Sequence, residues 1–382
     1  MNMIPYGKQS IDEDDIHSVF DVLRSDCLTT GSRVDEFEKA FADYVGAKYA
    51  VAVSNGTAAL HISCLAAGLS KGDELLTSPL TFAASANCAL YCNARPVFVD
   101  IDENHGLMDP KHIEQKIRDW TRIIIPVHYA GNVCDMEEIR RFAEKHNLTV
   151  IEDASHALGA SYDGSKVGSC AYSDLTTFSF HPVKHITTGE GGMITTNSEE
   201  FFEKMLMLRN HGLTKDPNRI EDGSQGPWHQ EMQLLGYNYR LTDVQCALGI
   251  SQLRKLDLFS RRRREIADIY NAAFSDDKNI QLLKKTQNCT HAYHLYVVKV
   301  QDRRMRLELF RYLRKEGIAC QVHYLPVYMH PYYKSIGYEQ GLCPAAERLY
   351  EKILSLPIYP NMKTRDPDKV IQAIKSFFQV IA

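Results

Sequence analysis

Three observations predict an α/β fold: a mainly parallel sheet in a large domain, followed by a smaller α+β domain. From Tyr49 to Thr196, strand-like apolar runs alternate with amphipathic or apolar helical stretches, the pattern of βαβ units. The residues able to do chemistry sit at or just past the carboxyl ends of those runs, where open α/β sheets gather ligands. Near residue 260 the order changes to strand, helix, strand, helix, so we expect a large domain over 1–260 and a small one over 261–382.

The chain is long enough for a large core, with 382 residues, 44% of them hydrophobic. A formal net charge of -4 leaves no basic surface of the kind that nucleic acid requires. No run of roughly 18 apolar residues predicts a membrane span. The opening MNMIPYGKQSIDEDD lacks the apolar stretch of a secretion signal. Ten cysteines occur with no C-x-x-C pair, and Cys88 and Cys92 lack partner ligands for a metal. Reduced thiols in a cytoplasmic protein are the expectation, with no metal site.

In order, we expect a helix at Asp12–Arg24, a T-T-G turn at Thr29–Gly31 and a helix at Asp35–Tyr44. Tyr49–Val53 reads as a strand and S-N-G-T-A-A-L as a tight turn opening a helix that runs to about Leu69. Gly56 and Thr57 would present free amides and a hydroxyl at that helix start, which suits a phosphate; ordinary capping explains the same residues. Strands follow at Glu74–Thr77, Pro96–Asp100, Arg122–Val127 and Leu148–Asp153, with helices at Phe82–Tyr91, Lys111–Ile117 and Met136–Lys145. Beyond Glu199–Asn210, a helix, the polar stretch Gly212–Trp228 reads as a mobile segment. G-Y-N-Y-R-L-T-D-V-Q then opens a long helical segment reaching Phe274. The last third offers strands at His294–Val300 and Ile318–Tyr324 and helices at Arg306–Glu316 and Pro367–Val380.

The centre of this pattern is S-F-H-P-V-K-H-I-T-T-G-E-G-G, Ser179 to Gly192, between the strand Leu175–Phe180 and the strand-like Met193–Thr196. A lysine in such a loop, Lys184, can lose solvent and act as a free amine toward a carbonyl. A solvated loop lysine is the bland alternative. Asp153 ends an apolar strand, a costly place for a carboxylate unless it meets a donor or a cation. A helix cap would explain it alone. Taken with Lys184, it suits a cofactor aldehyde on the lysine and a pyridinium nitrogen on the aspartate.

Six motifs in this order resemble the DegT family of pyridoxal-phosphate-dependent sugar-nucleotide aminotransferases, which has the fold type I of aspartate aminotransferase. They are L-T-T-G ahead of F-E-K-A-F, S-N-G-T-A-A-L, S-P-L-T-F-A-A-S-A-N, I-E-D-A-S-H-A, S-F-H-P-V-K-H-I-T-T-G-E-G-G and G-Y-N-Y-R-L-T-D-V-Q. The resemblance spans essentially the whole chain. It implies that Lys184 carries the cofactor as a Schiff base and moves the proton, and that Asp153 pairs with the ring nitrogen. It implies that His156 bonds the ring hydroxyl, that Phe82 stacks on the ring, and that Gly56, Thr57 and Ser179 hold the phosphate. Asn238 would reach in from the partner of a homodimer, with Arg240 beside it toward substrate. Relatives that dehydrate sugars carry histidine in place of this lysine, so Lys184 implies a transaminase.

H-P-V-K-H-I-T-T-G-E-G-G, H-A-L-G and Q-V-H-Y-L-P-V-Y are most similar to the subgroup acting in the pseudaminic acid pathway. That subgroup uses L-glutamate to aminate a UDP-linked 4-keto-6-deoxy-N-acetylhexosamine, giving the L-altro product. Enzymes making UDP-4-amino-arabinose, bacillosamine or legionaminic precursors, and perosamine remain alternatives; His181 and Pro182 disfavour the last. Tyr6, Thr30, Gly31, His181, Arg240, His323 and Tyr324 are the expected substrate contacts, though packing or a turn explains each equally well. A non-catalytic sensor that binds the cofactor is the alternative from another functional class.

Overall fold

The aliphatic and β-branched runs assemble into a seven-stranded sheet in a computed structural model that describes residues 3–381. Its strands are β1 (Tyr49–Val53), β2 (Glu74–Thr77), β3 (Arg95–Phe98), β4 (Thr121–Ile125), β5 (Thr149–Asp153), β6 (Leu175–Ser179) and β7 (Gly192–Thr196). The order across the sheet is β1, β7, β6, β5, β4, β2, β3. Only β7 runs antiparallel to its neighbours β1 and β6, since β6 and β7 are joined by a return loop and not by a crossover helix. The other four neighbouring pairs are parallel, so the carboxyl ends of all six remaining strands open on one edge.

Helices cover both faces, as the nearly continuous burial of these strands requires. Phe37 and Phe41, on the helix Ser32–Val45, pack against Phe178 and Phe180 with ring centroids 5.1–5.7 Å apart. Each such pair adds about 0.5–1.5 kcal/mol beyond area burial. Together they pin β6 and the first residue of the loop that carries Lys184. That loop is closed at its base, where Phe180 N–H donates to Gly191 and Thr188 N–H donates to Phe180.

A second core draws Ile266, Tyr270 and Phe274 together with Val298, Leu309, Leu354, Ile374 and, from the other end of the chain, Ile4. It surrounds a three-stranded antiparallel sheet whose central strand, Tyr296–Lys299, pairs with Gln281–Leu282 and Ile353–Leu356. The helix Leu256–Phe274 spans the two cores: Leu256 packs in the first and Ile266 to Phe274 in the second.

Three expectations need correction. Lys111–Ile117 is not an α-helix but two short 3-10 turns, Pro110–His112 and Glu114–Lys116, because seven residues cannot offset helix nucleation and Asp109 caps a tighter turn. The long helix after Thr242 is two, Asp243–Arg254 and Leu256–Phe274, turning at Lys255. The Lys255 ammonium pairs there with Asp12 and Asp15 of the first helix, Glu13–Leu23. Ile318–Tyr324 forms no strand, only the isolated bridges Ile4 with Ile318 and Gln321 with Ser355, and then bends toward the sheet. Within the polar stretch, Leu213–Thr214 pairs with Glu231–Met232 in a two-stranded ribbon.

Candidate active site

The edge on which the parallel strands end carries a cavity of about 710 Å³. It gathers the residues just past β1, β2, β4, β5 and β6, and is closed by His294, His323 and Tyr324 from the last third of the chain. Eleven of the fifteen residues singled out from the sequence line it: Tyr6, Gly56, Thr57, Phe82, Asp153, His156, Ser179, His181, Lys184, His323 and Tyr324.

At one end, the helix Gly56–Ala66 begins where β1 stops. Asn55 caps it, accepting from the Ala58 amide at 2.8 Å, so the Gly56 and Thr57 amides are left for the cavity. A Cβ on Gly56 would lie 2.9 Å from the Ser179 Cβ, so only glycine lets helix and strand approach this closely. The result is a cradle of backbone amides beside two hydroxyls at a positive helix end, the environment of a phosphate.

At the other end, Asp153 is buried. Its Oδ2 accepts from Ser85 Oγ at 2.6 Å and its Oδ1 from the Ser155 amide at 3.1 Å. Ser85 in turn meets Thr81 Oγ1 at 2.7 Å. Two donors aim the carboxylate, and free lone pairs remain for a ring N–H. Between these ends stands Lys184, partly buried, whose burial pulls its ammonium down to about 8; Asp153 opposes that shift and Arg263 adds to it. His156 is buried, with Nε2 3.1 Å from the Tyr324 hydroxyl and Nδ1 without a partner. Burial holds its imidazole well below the usual range, helped by the charges of Lys184, His323 and His185. Phe82 is 63% exposed and edges toward Tyr324 at 6.4 Å, a ring with one face uncovered.

An elongated group fits these residues if it has an anionic tail, an electrophilic carbon and a ring nitrogen that bonds a carboxylate. The unpartnered His156 Nδ1 and the Gly56 cradle are features of this cavity that the fold alone leaves unexplained.

Thr30, Gly31 and Arg240 do not reach this cavity; they line a separate one of about 460 Å³ with Arg209 and Arg219. Gly31 and Arg33 amides donate to Asp243 at 2.8 and 3.0 Å, which ties the T-T-G turn to the start of the helix Asp243–Arg254. Arg240 Nη1 donates to Asn210 at 2.5 Å. Asn238 is exposed and lines neither cavity.

Sequence reasoning missed several lining residues: Asn55, Tyr91, Ser155, Glu190, Tyr239 and His294. It also missed Ser85 behind Asp153. Ser85 and Ser155 lie inside motifs already quoted, so their neighbourhood was the available signal. His294 carried none, since its place depends on the small domain.

Residues 9–375 match the DegT/DnrJ/EryC1/StrS aminotransferase family. The chain belongs to this family. Its fold is the type I fold of that family, and it is a pyridoxal-phosphate-dependent sugar aminotransferase. Among curated relatives, the UDP-4-amino-4,6-dideoxy-N-acetyl-beta-L-altrosamine transaminase of Campylobacter jejuni is 41% identical over 384 residues, covering 99% of this chain and 98% of the relative. The spore coat polysaccharide biosynthesis protein SpsC of Bacillus subtilis is also 41% identical, over 98% of this chain and 97% of its own. Among solved structures, the sugar aminotransferase Spr1654 of Streptococcus pneumoniae in its PMP form superimposes with a TM-score of 0.92 at 30% identity, over 99% of this chain and 100% of that one. No helix among the described residues is long and apolar enough to cross a membrane.

Proposed function

We propose that this family member moves the amino group of L-glutamate to the 4-keto group of a UDP-linked 4-keto-6-deoxy-N-acetylhexosamine, yielding 2-oxoglutarate and UDP-4-amino-4,6-dideoxy-N-acetyl-beta-L-altrosamine for the pseudaminic acid pathway. The observation that carries the substrate is the 41% identity with the altrosamine transaminase along nearly the full length of both chains. SpsC at the same identity supports a second reading, another 4-keto nucleotide sugar destined for a polysaccharide.

Pyridoxal phosphate supplies an aldehyde that takes up amino groups and a ring that draws electrons from the bond being broken. Gly56, Thr57 and Ser179 bind its phosphate, Asp153 holds its ring nitrogen protonated, and His156 bonds its ring hydroxyl. Phe82 covers one face of the ring. Lys184 would hold the cofactor at rest, and its Nζ as the free amine would take up and release the proton at the substrate carbon. Tyr6, His181, His323 and Tyr324 line the remaining space, where the sugar is oriented. Arg240, Thr30 and Gly31 act from a second copy of the chain, as does Asn238, whose exposure outside its own cavity suits a cross-subunit role. The assembly is then a homodimer working in the cytoplasm.

The test is the visible spectrum of the purified protein with pyridoxal phosphate. L-glutamate should bleach the band and a UDP-4-keto-6-deoxy-N-acetylhexosamine should restore it. Bleaching that only other 4-keto sugar nucleotides reverse would favour the second reading. Lys184→Ala should retain cofactor noncovalently and lose turnover; an active variant would sink the assignment. A protein that binds the cofactor but never bleaches with any amino donor would be a sensor.

A further inference from the structure

Arg263 is the largest of the fully buried side chains. A lone guanidinium out of water is costly unless its charge and its five donors are met. Among the described residues its hydrogen bonds go only to backbone carbonyls. Nη1 donates to Tyr293 at 3.2 Å, His294 at 3.3 Å and Ile358 at 3.0 Å, while Nε and Nη2 have no partner. A salt bridge that merely stabilised the core would look different: it would include a carboxylate.

Two of the three carbonyls that Arg263 holds belong to a segment under unusual constraint. Tyr293 lies at φ 48°, a left-handed conformation that non-glycine residues rarely adopt. His185 Nε2 lies 3.2 Å from the carbonyl of Ala292, so three consecutive carbonyls, 292 to 294, are gripped by side chains from the lysine loop and the long helix. On the opposite side the chain passes Gly131, where a Cβ would lie 2.8 Å from the Tyr293 nitrogen and 3.1 Å from that of His294. This bend places the His294 ring 4.3 Å from His156, centroid to centroid, and 5.6 Å from His185. His294 and His156 both line the cavity.

We propose that Arg263 is a positioning residue of the active site: its guanidinium shapes the Tyr293–His294 backbone so that the His294 imidazole backs His156 and fixes the ring that meets the cofactor. The proposal rests on the reading of the cavity as a cofactor site. The groups facing the stack are Tyr324, Lys184, His185, His323 and Arg263 itself. Burial, then the positive charges among them, hold both imidazoles well below their usual range. An uncharged stack accepts a hydrogen bond from a ring hydroxyl or a water, which a protonated one cannot. The conservative substitution Arg263→Lys keeps the charge, but its shorter side chain does not carry a nitrogen out to the place of Nη1, which alone reaches both the Tyr293–His294 segment and Ile358.

The deciding measurement needs no cofactor. In apoprotein labelled with carbon-13 at histidine Cε1, the His156 and His294 resonances, assigned by single substitutions, should move in Arg263→Lys, while His17 and His229 stay in place. In the loaded protein the same variant should shift the pH midpoint of the visible band and lower kcat by on the order of tenfold to a hundredfold, with KM little changed, as a small displacement near the reacting atoms does. A folded Arg263→Lys protein with unmoved His156 and His294 signals and an unmoved band would overturn the proposal. Should Arg263→Lys not fold, Arg263→Gln, which still donates to one carbonyl, is read the same way. If the parent protein takes up no pyridoxal phosphate, the cofactor reading fails, and the histidine signals still decide for or against the clamp.

Discussion

Ser85 donates a hydrogen bond of 2.6 Å to the buried carboxylate of Asp153, joining two motifs 68 residues apart. The serine sits in the first turn of the helix Ala84–Tyr91 and is fully buried, so its hydroxyl has no solvent alternative. Ser85→Ala should cost about 1.5–3 kcal/mol of stability, the range for a bond to a charged group. It should also loosen Asp153 and weaken cofactor retention. Thermal unfolding with a parallel titration of pyridoxal phosphate checks both; an unchanged cofactor affinity would mean that the Ser155 amide alone orients the carboxylate.

Gly56→Ala is expected to be worse than its size suggests. The added methyl would press on Ser179 at 2.9 Å, and overpacking of that kind costs about 1–3 kcal/mol. Because the strain falls at the phosphate cradle, the loss should appear chiefly in affinity for pyridoxal phosphate and for free phosphate. Gly46→Ala is the control: nothing lies within 4 Å there, so its cost should be backbone strain alone with no effect on binding.

The Lys184 amine, drawn down to about 8 by burial, should titrate within reach of neutral pH in the apoprotein. The nucleophile is the deprotonated amine, so the rate of cofactor uptake should climb as pH rises toward 8 and level off above it. A rate that keeps climbing past pH 10 would show an ordinary, solvated lysine.

Glu152, next to Asp153 in sequence, points the other way into the core. Its Oε2 lies 2.6 Å from His128 Nε2, and its Oε1 accepts from Ser173 at 2.5 Å and Thr176 at 3.0 Å. The Cys134 amide donates to His128 Nδ1 at 3.2 Å, which assigns the ring proton to Nε2. Burial raises the Glu152 carboxyl, yet these donors more than offset it and hold its pKa below the ordinary value. A depressed carboxylate contributes stability above its unfolded pKa, about 4.3, and loses it as pH falls through the lower folded value. Glu152→Gln should therefore lower Tm at pH 7 and flatten its decline below about pH 4. Equal acid slopes in the two proteins would count against the pairing.

The parallel order of the large sheet was legible because βαβ alternation writes itself locally: β5 and β6 carry apolar runs with Asp153 and Ser179 at their carboxyl ends. The two ends of the cavity, Gly56 and Asp153, and the lysine between them were legible for the same reason. The small domain was harder to read. Ile353–Leu356 is fully buried but only four residues long, and pairs with Tyr296–Lys299 across more than fifty residues of chain. No local pattern separates such a strand from a buried helical turn. The break at Lys255 was equally hidden, since its cause is an ion pair with Asp12 and Asp15, far off in sequence.

The sequence by itself determined where the central groups of the cavity sit, because a lysine in a glycine-flanked loop, an aspartate at a strand end and a helix start after S-N-G are each specified within a few residues. Tertiary structure decided which side chains support them: Ser85 behind Asp153, Tyr324 against His156, and Arg263 under His294. It also decided that Thr30, Gly31 and Arg240 lie outside the cavity of their own chain. The physical reason is range: backbone propensity and strand polarity act between neighbours, whereas the burial that makes a hydroxyl or a guanidinium seek one particular partner exists only once distant segments have packed.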